Sequence, residues 1–465
     1  MRRVEIVVVG AGPAGLSAAI AAAEAGAEVL VIDENRQLGG QIYQQPPEQF
    51  SPSPGKHSPD DDLIKAKKLL DHARSLPIEF LTDATVWGIF DGRHLAVMVA
   101  DKGQDIWAER LVLAPEAYER PVPFPGWTLP GVMGGVAVQR MVNQQWVMPG
   151  QRFLFVGAGP LQLAVAAQVL KNGIDVVGIA DAAPSSLSWR HLYQMWGAWD
   201  ILWQGAKYSW NMMKRRVPLI RSHAVLRAEG DGQVERAVTV DVDGNWHPIP
   251  GTERTWEVDT LCVSYGFISS IELAGLAGCK IHYVPEWDSW VPEHDNDMRT
   301  SVPGIFVAGD GAGVGGGIVA ADEGRIAGAN AALELGHGSN KPTHPASSSY
   351  RRLRVLSRFR AVLDGIWQFR PGLYDIIDGD TLVCRCEEIT YKRVKEAIAD
   401  GAEDLNQVRS WTQAGMGLCQ GRYCQTHLAY LLAAAKGRPV EMAGTYTARP
   451  PVKPVPIDVF TYEGD

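Results

Sequence analysis

The chain has 465 residues, of which 46% are hydrophobic and 21% charged; this is room for roughly three domains and excludes disorder over most of its length. The net charge of −9 argues against a nucleic-acid protein, whose surface must neutralise phosphates. Glycine is in excess, at 49 residues against a usual share of about 7%, with no collagen-like period, so glycines are expected in tight turns and close backbone approaches.

Arg2 and Arg3 precede only four apolar residues before a glycine turn, so no signal peptide is expected. Glu24 and Glu28 interrupt the longest small-residue stretch, so no transmembrane segment and a cytoplasmic location are expected. Residues 4–9 (VEIVVV) read as a buried parallel strand. Gly10-Ala11-Gly12-Pro13-Ala14-Gly15 follows, then an alanine-rich helix closed by Gly26 and a second strand running into Asp33 and Glu34. This is a βαβ dinucleotide fingerprint: Gly10 permits the turn, Gly12 admits the pyrophosphate, Gly15 lets helix and strand approach, and Asp33 stands where an acid accepts from a ribose. The plainer alternative is a glycine turn in an unrelated α/β fold. Gly39-Gly40-Gln41 follows and is expected at the same cofactor. Residues 45–62 (QPPEQFSPSPGKHSPDDD) read as a long Pro/Ser-rich loop, either a rim of the site or plain surface.

An offset of 147 residues overlays Val9, Gly10, Ala11, Gly12 and Pro13 on Val156, Gly157, Ala158, Gly159 and Pro160, with five further identities to Ile179. A second dinucleotide fold is therefore expected, but altered where it matters. Gln162 replaces the third glycine and Ala180 the ribose-binding acid, with Asp181 adjacent, so NAD(P) binding is expected to be degenerate and another nucleotide such as ATP is the alternative. Trp189, Trp196, Trp203 and Trp210 recur every seven residues, with Trp199 on the same side; core packing is the favoured reading and a subunit interface the other. Residues 1–261 contain no cysteine, which excludes disulfide-reductase chemistry unless Cys262 and Cys279 pair.

Residues 300–310 (TSVPGIFVAGD) form a strand ending in Gly309-Asp310, followed by a glycine-rich turn and a helix. The string resembles the closing motif of two-dinucleotide-domain flavoproteins, in which the Asp holds the flavin ribityl chain, and it makes FAD the expected cofactor. The cofactor-binding set is then Gly10, Ala11, Gly12, Pro13, Ala14, Gly15, Asp33, Glu34, Gly39, Gly40, Gln41, Val86, Gly309 and Asp310. Residues 336–350 read as a linker, and Arg351, Arg352, Arg354, Arg358 and Arg360 as a solvated helix face. Cys384-Arg-Cys386 and Cys419-Gln-Gly-Arg-Tyr-Cys424 make two close pairs suited to a tetrathiolate centre, zinc or [2Fe–2S]. Thr390 is expected to cap a helix burying Val394, Ala397 and Ile398; Leu428, Leu431, Leu432 and Ala435 are expected on one face of another. The tail RPPVKPVP (449–456) should be extended and lie across another domain or subunit.

Along nearly its whole length the chain resembles the alpha (A) subunits of heteromeric flavin-dependent amino-acid dehydrogenases: octopine and nopaline oxidase A subunits, proline and hydroxyproline dehydrogenase alpha subunits, and the flavin subunits of hydrogen cyanide synthase. The strings that carry the likeness are VVVGAGPAGLSAA, LGGQIYQQPP, ERPVPFPGWTLPGVM, TSVPGIFVAGDGAGVGG, DTLVCRCEEIT and AGMGLCQGRYC. The last two are similar to the [2Fe–2S] module of bacterioferritin-associated ferredoxin, which implies Cys384, Cys386, Cys419 and Cys424 as cluster ligands.

The resemblance implies an oxidoreductase subunit that relays electrons from the flavin of a beta subunit similar to D-amino-acid oxidases. FAD and the cluster would pass them to a quinone or dye-like acceptor. FMN at the subunit interface, a small third subunit and peripheral contact with the membrane through the acceptor are further implications. The implied organisation is an α/β fold of two nested dinucleotide-binding domains plus a small helical module. Residues 1–118 and 258–335 would form a split FAD domain around a second dinucleotide fold (119–257). A linker with a basic helix (336–375), the cysteine module (376–440) and the tail (441–465) would follow. Ala114-Pro115-Glu116-Ala117 departs from the Ala-Thr-Gly common in such flavoproteins. No catalytic residue is indicated. A stand-alone NAD(P)H-dependent ferredoxin-type reductase is the alternative enzyme, and a zinc-binding scaffold retaining FAD the non-enzymatic one.

Overall fold

The computed structural model describes residues 1–43, 61–184, 195, 197, 199–338 and 344–460. Most of the loop read at 45–62 lies outside these, but its last two residues begin the helix Asp61–Ser75. Trp189 and Trp196 also lie outside.

The first βαβ unit forms as the sequence requires. The β-branched run is β1 (Arg2–Val9), the alanine-rich stretch is α1 (Pro13–Ala25), and β2 (Val29–Ile32) lies parallel to β1. Gly26, at φ 100°, ends α1 in the left-handed region that glycine adopts at little cost. Four further strands, β3 (Ile78–Leu81), β4 (Ala84–Phe90), β5 (His94–Val99) and β6 (Lys102–Leu113), give the order β3-β2-β1-β6-β5-β4. The late strand Ile305–Val307 joins the same sheet, parallel to the end of β6. From it the chain enters the helix Gly317–Glu334, which packs on α1 through small residues. A side chain at Gly324 or Gly328 would overlap the carbonyl oxygens of Ala14 and Ala18, so the two backbones meet with nothing between them.

The second dinucleotide fold is inserted between these parts. Arg152–Gly157 is its central strand, flanked by Asp175–Asp181 and Thr260–Ser264, both parallel to it. Thr260–Ser264 pairs in this nested sheet, so the chain returns to the first domain after Ser264 and not at 258. A two-stranded antiparallel ribbon, Ala117–Glu119 with Phe267–Ser269, carries both crossings.

The cysteine module has a short antiparallel pair, Leu382–Cys384 with Ile389–Thr390, and three helices. Thr390 Oγ1 accepts from Arg393 N–H at 3.4 Å to cap Tyr391–Ala399, which buries Val394, Ala397 and Ile398. Leu405–Thr412, capped by Asp404, was not foreseen. Gln425–Lys436 buries Leu428, Leu431 and Leu432, while Ala435 is exposed. The module's core is continuous with that of the nested fold, so packing as well as any metal stabilises it. A buried polar knot ties it down: Arg120 Nη1 donates to Asp288 Oδ2 at 2.6 Å, and the hydroxyls of Tyr283 and Tyr430 donate to Asp288 Oδ1. The tail runs back across the first domain, where Val452 N–H donates to Trp87 O at 2.9 Å and Phe460 meets the Trp87 ring edge-on.

Two expectations are corrected here. The helix Trp199–Lys214 packs through Leu202, Tyr208 and Met212, leaving Trp203 and Trp210 exposed instead of in the core. A seven-residue period defines a helix face without saying which way it points. Nor is Arg360 on a solvated face: it sits with its guanidinium 3.9 Å from the Trp287 ring centroid, while Arg351, Arg352, Arg354 and Arg358 are exposed. Among the described residues no helix is long and apolar enough to cross a membrane.

Candidate functional site

The switch from β1 to α1 opens a cleft whose empty space, counting the part open to solvent, is about 1090 Å³. Of the predicted set, Gly10, Gly12, Pro13, Ala14, Asp33, Glu34, Gly40, Gln41, Val86 and Asp310 line it. Ala11, Gly15, Gly39 and Gly309 stand behind that wall. A side chain at Gly15 would overlap the Gly10 carbonyl, whereas one at Gly12 would meet only Gly40 Cα at 3.9 Å and otherwise project into the cavity. No side chain caps the first turn of α1, and Pro13 removes one of its unpaired N–H groups, so the remaining donors face an anion unhindered.

Asp33 is positioned from behind. Its Oδ2 accepts from Ala11 N–H at 2.5 Å, and its Oδ1 accepts from Asn35 N–H at 2.7 Å and Nδ2 at 3.0 Å. Oδ1 is thereby filled, while Oδ2 retains a lone pair for a ribose hydroxyl. Asp310 Oδ1 accepts from Gly315 and Gly316 N–H at 3.1 and 3.2 Å, holding the glycine loop, and burial raises its pKa. Behind it, Glu323 Oε2 accepts from Gly309 N–H at 2.9 Å, and burial pushes its carboxyl up to about 8. The departure at 114–117 is accommodated: Pro115 packs against Gly311, and Glu116 accepts from Gln41 Nε2 at 2.7 Å. Cavity, open cradle at Gly12 and acid at Asp33 together fit a dinucleotide.

The sequence reading missed the opposite wall. Tyr118, Glu272 and Arg422 line it, together with Val452 and Lys453 of the tail. Lys453 Nζ pairs with Glu34 Oε2. Only the proline-rich composition of the tail, which forces an extended path, hinted that it would reach another domain.

The cysteines lie beside this wall as two couples. The Cys384 thiol is held down to about 6, first by hydrogen bonding from Cys424 and then by the backbone N–H groups of Gly415, Glu387 and Cys386. Cys419 neighbours Cys386, and burial raises its pKa. Among the described residues no three His, Cys, Asp or Glu side chains converge as on a single ion. Four thiols in two couples, with amide N–H groups directed at Cys384, supply the ligand set that a [2Fe–2S] cluster needs. Cys384 and Cys424 are buried, Cys419 half-buried and Cys386 exposed. Around Cys386, Leu418 is 75% exposed, and Met416 and Tyr423 are also exposed.

In the nested fold, Gln162 is buried with neither side-chain polar atom hydrogen-bonded among the described residues, filling the helix–strand approach. Asp181 Oδ2 accepts from Arg221 Nη1 at 2.7 Å and Trp367 Nε1 at 3.3 Å, so the one acid near the ribose position already has partners. Cys262 and Cys279 are unpaired and belong to different domains.

Residues 4–336 match the family model of the pyridine nucleotide-disulphide oxidoreductases. Residues 382–434 match that of the BFD-like [2Fe-2S] binding domain. The A subunit of opine oxidase from Agrobacterium tumefaciens (strain Ach5) is 32% identical over 97% of this chain and 90% of its own. The HcnB subunit of hydrogen cyanide synthase from Pseudomonas aeruginosa is 30% identical over 98% and 97%. The crystal structure of L-proline dehydrogenase from P. horikoshii superposes with a TM-score of 0.71 over 99% of this chain and 80% of that one, at 22% identity, and so bears on fold alone.

Proposed function

Because the chain belongs to the pyridine nucleotide-disulphide oxidoreductase family, in the branch of the opine oxidase A subunits, with a BFD-like [2Fe-2S] domain attached, we propose that this oxidoreductase is the electron-relaying alpha subunit of a flavin-dependent amino- or imino-acid dehydrogenase. The observation that carries the reading is a shared wall. Arg422, between Cys419 and Cys424, lines the cavity that begins at Gly10 and Gly12. Its Nη1 donates to Cys419 O at 3.0 Å, and the Tyr118 and Tyr423 rings lie 6.1 Å apart across the same boundary. A flavin and a thiolate cluster in these two sites are neighbours.

When bound, FAD accepts electrons in pairs and releases them singly, and a [2Fe–2S] centre carries one at a time. The chain's own residues bind, orient and insulate. Gly10, Gly12 and the first turn of α1 hold the pyrophosphate, Asp33 the ribose, and Asp310 the ribityl chain; Ala11, Gly15, Gly39 and Gly309 set the backbone behind them. Arg422 keeps the loop carrying Cys419 and Cys424 against the cavity wall. Cys384, Cys386, Cys419 and Cys424 hold the cluster with the Cys386 edge at the surface. The exposed Leu418 and Met416 beside that edge suit a redox partner of the D-amino-acid-oxidase-like beta type or an acceptor such as a quinone. Substrate oxidation belongs to that partner. The altered Gln162 and Ala180 disfavour NAD(P)H as the donor, and FMN at the subunit interface is part of the same proposal.

Co-expression with a beta-type flavoprotein, then assay of FAD, FMN, iron and acid-labile sulfide, tests this. Amino-acid-dependent bleaching of both flavin and cluster is expected; Cys386→Ser, by removing the cluster, should leave flavin bleaching in place and abolish reduction of the acceptor. Rapid NADH or NADPH oxidation by the chain alone would instead support the stand-alone reductase, and zinc without sulfide would end the relay.

A further inference from the structure

The helix Trp199–Lys214 has two apolar faces and uses one. Leu202 packs beside Phe359 and Val362, and Tyr208 and Met212 pack into the core of the nested fold. On the other face Trp203, Trp210 and Met213 are 77%, 66% and 67% exposed, an unusual state for two indoles. Lys207 and Lys214 are exposed too, at the i+4 spacing that sets them in the same stripe as the tryptophans. Exposed Arg215, Arg216 and Leu219 prolong the patch. From Leu202 to Arg216 there is no acidic residue, in a chain of net charge −9.

We propose that this face docks on an anionic lipid bilayer, the helix lying in the headgroup plane. Tryptophan alone would not decide, since it is enriched at subunit contacts and at bilayer interfaces alike. Lysine does. It is depleted from the cores of protein–protein contacts, whereas at a bilayer its stem lies along the acyl boundary while the ammonium reaches the phosphates. Two lysines alternating with two indoles on one stripe therefore match lipid, and the local positive charge on an acidic protein matches an anionic leaflet. The contact is peripheral and independent of the electron-relay reading.

The full-length chain, sedimented with vesicles of phosphatidylcholine alone or mixed with phosphatidylglycerol, tests this. Binding to the mixed vesicles that weakens in high salt is expected. The pair Lys207→Glu/Lys214→Glu should lower it at least about tenfold, and Trp203→Ser/Trp210→Ser should abolish it, with FAD content and melting temperature unchanged. No sedimentation of the wild-type chain with either vesicle overturns the proposal, as does equal binding by wild type and both variants. Loss of self-association or of beta-subunit capture in the variants, with vesicle binding intact, would assign the face to a protein partner instead. Should a variant misfold, the wild-type contrast between the two vesicle types still decides.

Discussion

At the scale of single residues, two glycines of one motif do different work, and they can be separated by experiment. Gly12→Ala places its methyl in open cavity at an ordinary φ of −74°. The apo-protein should melt as the wild type does, while FAD affinity, read from flavin fluorescence on titration, falls at least about tenfold. Gly15→Ala instead drives Cβ into the Gly10 carbonyl; it should cost about 1–3 kcal/mol of stability, seen as a lower melting temperature even without flavin. Equal melting of the two variants would dissolve the distinction. Glu323 makes a second case. Its folded pKa of about 8 lies above the ordinary 4.5 because burial favours the neutral acid. That stabilisation is complete below about pH 4.5 and is lost as pH rises through about 8, where the unfolded chain is already ionised. Glu323→Gln should therefore flatten the decline in melting temperature between about pH 5 and pH 8, the amide oxygen still accepting from Gly309; a slope identical to wild type would show that Glu323 titrates normally.

Among elements, the closest packing joins α1 to Gly317–Glu334. Gly328→Ala puts a methyl into the Ala18 carbonyl and should lower stability by about 1–3 kcal/mol, measurable by denaturant unfolding; an unchanged midpoint would mean that the helices can separate freely. This seam was only partly legible. β1, α1 and β2 were, because β-branched runs, alanine and glycine at fixed offsets have few other uses. Thr390 and its buried face were legible for the same reason, a cap followed by a 3.6-residue period. The helix Leu405–Thr412 was not, since it is only eight residues long and one of its three buried positions is the polar Thr412, which breaks the apolar period. The tryptophan stripe had a clear period, but its direction depends on what the rest of the molecule leaves uncovered. The partners of Arg360, from Trp287 to Asp364, are in part distant in sequence, and no local pattern announces them.

Over the whole molecule, the sequence motifs marked the floor of the flavin cavity and the final segment supplies part of its roof. Val459 is buried with Trp87 and Ala96, and Val452 and Lys453 stand at the cavity. Removing residues 449–465 should raise the FAD dissociation constant about tenfold or more while leaving iron and sulfide content unchanged, by fluorescence and elemental analysis. Undiminished affinity would make the tail mere packing. Arg422, Lys453, Tyr118 and Glu272 escaped the sequence reading because none sits in a motif; Arg422 reaches the site from the cysteine module, which docks through Arg120, Asp288 and Tyr430. The roof also sets an order of events during synthesis. Gly10 leaves the ribosome more than four hundred residues before Lys453, on the order of half a minute or longer at ordinary elongation rates. Once Asp310 has joined Gly10 and Asp33, the side of the cavity that Val452 and Lys453 later cover is open until the tail arrives, and FAD can enter there.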